Sequence, residues 1–131
     1  MTDPNHLFTL RVPPMRQGEP AIMVRAYDAP RPSETGHNYI DLEVRHGREV
    51  IFPRGQLFCG VNQWTSIDGT EARELALSAV AMKPGDTDRD YFAGYTPAQL
   101  AWAEEHGEHV SAYREHRFCD PETGAVRKGA R

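Results

Sequence analysis

The sequence predicts an α+β domain: a four- to five-stranded, mainly antiparallel sheet over residues 7–64, packed against two helices over 68–83 and 97–117. Three observations carry this. The first half alternates apolar and polar residues with period two, and the second half shifts to a period near 3.6. One apolar sheet face and two apolar helix stripes then need each other for burial. With 131 residues, 39% of them hydrophobic and 26% charged, the chain has the size and composition of one ordinary domain. Ten prolines and eleven glycines put much of it in turns.

Leu7 to Val12 sets Phe8, Leu10 and Val12 on one face. A Pro-, Gly- and Met-rich loop follows, where proline cannot donate to a ladder. In Ala21 to Tyr27, Ile22, Val24 and Ala26 oppose Met23, Arg25 and Tyr27. The next stretch, DAPRPSETGHN, is the longest loop signal. Tyr39 to Arg45 is the clearest strand, with Ile40, Leu42 and Val44 facing one way. His46-Gly47 offers a tight turn into Glu49–Phe52, and Pro53-Arg54-Gly55 breaks that strand. Gln56 to Trp64 reads as the last strand, with Gly60 marking a bulge or a close backbone approach.

In EARELALSAVAM, Ala72, Leu75, Ala76, Ala79 and Val80 fall at helical spacing behind a cap at Asp68 or Thr70, and Lys83-Pro84-Gly85 ends the helix. Asp86 to Asp90 reads as a short helical turn capped by Thr87. Thr96-Pro97-Ala98-Gln99 combines a capping hydroxyl, a proline at the first helical position and a glutamine three residues past the cap. The domain is expected to span 1–119. The tail 120–131 has no periodicity and is expected to be disordered.

The second helix concentrates chemistry. His106 and His109 are followed by His116 and Cys119, in the pattern H-x-x-H then H-x-x-C. A helix rises ~1.5 Å per residue, so His106 and His109 are ~4.5 Å apart along the axis while His116 lies ~15 Å from His106. With zinc–nitrogen bonds of ~2.0–2.1 Å, one ion cannot collect all three from a continuous helix. A metal site would use His106 and His109, completed by a residue from the sheet or from a second chain. Trp102, His106, His109 and Tyr113 form an aromatic and imidazole stripe that flanks the inward line Leu100, Ala103, Gly107 and Val110. Rings of this kind beside histidine suit a protein interface, so these four are the expected partner-binding residues.

Other chemistry finds less support. Asp86, Asp88 and Asp90 imitate a calcium loop, but Tyr91 replaces the glycine and Pro97 the final glutamate. No nucleophile motif, phosphate-cradling loop or H-E-x-x-H occurs, so the chain is expected not to be an enzyme. Arg45, Arg48 and Arg54 gather around the hairpin as an alternative nucleic-acid surface, but without interleaved aromatics they read as ordinary sheet-surface residues. Residues 67–119 carry five Lys/Arg against ten Asp/Glu, which disfavours phosphate-backbone contact there. No apolar run nears the ~18 residues of a membrane span, and MTDPNHLF lacks the basic start of a signal peptide. A cytoplasmic protein with reduced cysteines, no membrane association and no cofactor is expected. Homo-oligomerisation stays open.

ELALSAVAMKPGDTD and the helix start YTPAQLAWAE resemble the C-terminal part of small accessory proteins carried by bacterial prophages and other mobile elements. The resemblance covers about the second half and assigns no residue roles. It implies an accessory protein that acts by binding, and the expected function is a non-catalytic factor that docks on, or inhibits, a host or phage protein.

Overall fold

Alternation builds the sheet. In a computed structural model, described over residues 4–29, 37–62, 69–86, 92–118 and 122–123, four strands form: β1 (His6–Val12), β2 (Ile22–Ala29), β3 (His37–His46) and β4 (Glu49–Asn62). They run as an antiparallel meander in the order β1-β2-β3-β4. Leu10 stands opposite Val24, Val24 opposite Val44 and Leu42 opposite Leu57. The apolar set of every strand therefore falls on one face. Phe8, Leu10, Val12, Ile22, Val24, Ala26, Ile40, Leu42, Val44, Phe52 and Leu57 are all buried there, each large side chain contributing about 1.5–3 kcal/mol by leaving water.

The two short strands expected on either side of Pro53-Arg54-Gly55 are one strand, because both halves pair with the long β3. Phe52 faces Val44 and Leu57 faces Leu42, so Pro53 to Gln56 bulge out against Glu43. Gly55, at φ +95°, lets the backbone make that excursion. The ladder shifts here and again at Ile51, between the Val44–Phe52 and Arg45–Val50 pairs, and not at Gly60, which pairs with Tyr39, a Cβ there coming 3.8 Å from Tyr39 Cε1.

Helix α1 (Thr70–Ala81) and helix α2 (Pro97–Phe118) follow. Gly69, not Asp68 or Thr70, is the N-cap of α1, and no side chain caps it. Asp68 lies outside the described residues, as do Thr87 to Asp90 and, apart from 122–123, the tail 120–131. At α2 the capping box forms as read: Gln99 N–H donates to Thr96 Oγ1 (3.1 Å) and Thr96 N–H to Gln99 Oε1 (2.9 Å). The Gln99 amide also donates to Ile51 O (2.9 Å) and exchanges hydrogen bonds with Gln56, so one buried side chain locks the helix start to β4.

Helix α1 lies on β4 and β3, and α2 packs on α1. The close approach is at Gly107, where a Cβ would fall 2.7 Å from Ala81 O. Ala103, Gly107 and Val110 are buried there, the small-residue line acting as the contact. One polar pair crosses the two helices as well: Glu74, buried although charged, takes a hydrogen bond from Arg114. Among the described residues neither helix covers the second face of the sheet. No described helix is long and apolar enough to cross a membrane.

Candidate metal centre

Three segments meet at the end of β3. His46 is the last residue of that strand, and Gly47 turns the chain at φ +66°. A Cβ on Gly47 would lie 2.9 Å from Pro20 Cγ, so glycine both makes the turn and lets the β1–β2 loop close against it. Glu19 precedes Pro20 and is thereby delivered to His46. From the helix layer, α2 tethers the same loop: His109 Nε2–H donates to Pro13 O (2.6 Å), and Arg16 bonds Glu105 Oε1 (3.1 Å).

The result is a Glu19–His46–His106 cluster in which one ligand atom from each lies within 4.8 Å of the others. His106 is 4% exposed, and Glu19 and His46 are half-buried. Arg16 donates to Glu19 Oε1 (2.8 Å) and, as the main cause, holds its carboxyl below the usual range. The other oxygen, Oε2, is buried with no hydrogen-bond partner among the described residues.

Trp102 sets both imidazoles. A carbonyl only accepts, so His106 Nδ1, 3.0 Å from Trp102 O, carries the proton and leaves Nε2 with its lone pair. An indole N–H only donates, so His46 Nδ1 accepts from Trp102 Nε1 (3.2 Å) and a neutral His46 is protonated on Nε2. The indole stacks on His106 at 4.6 Å and 21°, while the two imidazoles meet edge to face at 5.0 Å.

The chain matches no known protein family, curated protein or solved structure. Its chemistry rests on this geometry alone.

The expected stripe is turned inward. Trp102 and His106 are buried under the 13–20 loop and the end of β3, His109 and Tyr113 are half-buried, and Tyr113 packs on the core beside Phe118. The partner surface proposed for these four is therefore largely covered. Of the alternative metal pair, His109 gives Nε2 to Pro13 O, while His106 lies with Glu19 and His46 from the sheet half of the chain. His116 is exposed, and Cys119 lies outside the described residues. The hairpin arginines divide between locations: Arg48 is in the turn, Arg45 bonds Glu43 Oε1 (3.0 Å), and Arg54 sits over the Tyr27 ring at 3.9 Å. Glu19 and His46 carry no local motif. A glycine after a strand-end histidine was the sole hint, and it reads equally as a plain turn.

Proposed function

We propose that this protein binds one divalent transition-metal ion, with zinc the best chemical match, through Glu19, His46 and His106. The buried Glu19 Oε2, which has no hydrogen-bond partner among the described residues and lies beside two imidazoles, is the observation that carries this reading, because a buried carboxylate oxygen without a partner is costly and a cation removes that cost. Two nitrogens and one carboxylate oxygen suit zinc. Donors around a tetrahedral ion with ~2.1 Å bonds stand ~3.4 Å apart, so closing the cluster takes side-chain rotation together with release of the His46 Nδ1–Trp102 hydrogen bond, which frees a His46 nitrogen to ligate. Trp102 O supplies the outer hydrogen bond that fixes a ligating histidine.

Three protein ligands leave a fourth position for water, as in sites that polarise a small ligand rather than in closed structural sites. The ion also ties the β1–β2 loop, β3 and α2 together, so binding and stability are linked. Titration calorimetry of untagged protein with zinc tests this. One equivalent is expected to bind, with His106→Ala abolishing and Glu19→Gln weakening the binding at least tenfold. Unchanged binding in a folded His46→Ala/His106→Ala double variant would sink the proposal.

A further inference from the structure

We propose that the β1–β2 loop, residues 13–21, is a metal-operated cover: bound zinc closes it over His106 and Trp102, and loss of zinc lets its tip swing open. This regulation rests on the metal reading given above and adds a conformational consequence to it.

The loop is built to move at its tip. Pro13 and Pro14 follow β1, and Pro20 stands just before β2. None of residues 13–21 is buried, so little apolar contact holds the segment down. The tip is nevertheless ordered within itself. Glu19 N–H donates to Arg16 O (3.2 Å), Arg16 donates to Glu19 Oε1 (2.8 Å), and Gly18 takes φ +89° between them. A four-residue turn with glycine at positive φ in third place closes on its own bonds. Residues 16–19 therefore move as one unit and carry Glu19 with them.

The ties to the rest of the fold are strong at the ends of the loop and weak at the tip. His109 Nε2–H donates to Pro13 O at the first residue, and Pro20 lies against Gly47 at the other end. Arg16 at the tip reaches Glu105 of α2, but the two side chains are 57% and 51% exposed, and such a pair adds little in water. The inward contact of the tip is Glu19, which joins His46 and His106 in the cluster, with His106 stacked on Trp102.

Glu19 gives the two states opposite preferences. In the closed loop its Oε2 is buried without a hydrogen-bond partner among the described residues. With no ion present, that oxygen gains by reaching water, which favours the open tip. A cation held between Glu19 and the imidazoles reverses the preference, because only the closed loop brings all three ligands together.

Trypsin cleavage after Arg16, followed by mass spectrometry, tests this, since a protease cuts the opened form. Cleavage after Arg45, inside β3, reads unfolding of the sheet, and a peptide substrate monitors the protease itself. In EDTA, the Arg16 cut is expected to be roughly tenfold or more faster than the Arg45 cut. Zinc at about a hundredfold excess over Kd should slow it by up to about a hundredfold, because opening must then release the ion. Glu105→Gln, which removes the surface tie, should speed the Arg16 cut in EDTA by up to about fivefold. In Trp64→Phe, which leaves Trp102 as the one tryptophan, acrylamide should quench less with zinc than in EDTA. Zinc that binds by calorimetry without slowing the Arg16 cut would overturn the cover and leave the metal reading standing. Equal rates at Arg16 and Arg45 in EDTA would overturn it as well, the loop then opening only with the whole fold. Absence of zinc binding would remove both.

Discussion

His46 and His106 stand ring to ring, 5.0 Å apart, yet hold opposite tautomers because Trp102 touches both. Its carbonyl takes the Nδ1 proton of His106, and its indole N–H donates to Nδ1 of His46. One tryptophan thus leaves Nε2 of His106 with its lone pair and places the proton of a neutral His46 on Nε2.

That asymmetry gives Trp102→Phe a signed effect. Phenylalanine keeps a ring against His106 and removes the donor facing His46, freeing His46 to carry its proton on Nδ1 and ligate through Nε2. Zinc affinity is expected to rise by up to about fivefold, the worth of one hydrogen bond of ~1 kcal/mol. In the native protein, zinc should change tryptophan fluorescence. Lower affinity in folded Trp102→Phe would show that the indole bond supports binding.

Metal should stabilise the fold. At a hundredfold excess over Kd, a ligand of the native state adds roughly 2.7 kcal/mol, on the order of 10 °C in Tm for a domain of this size. Differential scanning fluorimetry with and without zinc measures this, and His106→Ala should flatten the response.

Gly107→Ala should destabilise. In an exposed helix the change gains about 1 kcal/mol, but here the new methyl would sit 2.7 Å from Ala81 O. That atom is backbone and does not swing away. The expected cost is about 1–3 kcal/mol in a urea melt, and a stabilised variant would mean that α1 and α2 separate more easily than their packing implies.

Gln99→Ala removes half of the capping box and leaves Ile51 O and Thr96 N–H without their partner. A loss of about 2–3 kcal/mol is expected. Thr96→Ala, which breaks only the outer half, should cost about 1 kcal/mol.

Burial pushes the Cys59 thiol up to about 12. In a Cys119→Ser variant, Cys59 should label with maleimide far more slowly at pH 8 than in the unfolded chain, since the thiolate is the nucleophile. The unfolded thiol ionises near ~8.5. The contribution of burying it neutral is therefore full below that pH and declines as pH rises towards about 12. Fast labelling of folded protein at pH 8 would contradict this environment.

The sheet face, the α2 capping box and the Ala103–Gly107–Val110 line were all legible in the sequence, because each depends on neighbours within a few residues or on a simple period. The merged β4 was not: whether Pro53–Gly55 ends a strand or bulges from it depends on the length of β3 across the pair. Glu74 was equally hidden, since a buried carboxylate is sensible only once Arg114 arrives from the next helix.

The candidate sites divide in the same way. Helix rise alone separated His116 from His106, and local sequence raised His106 as a ligand candidate. Only tertiary structure could bring His46 and Glu19 to His106, because residues from a loop, a strand end and a helix share no spacing. Tertiary structure also turned Trp102 inward, since helical periodicity fixes which residues share a stripe but not which loop folds over it.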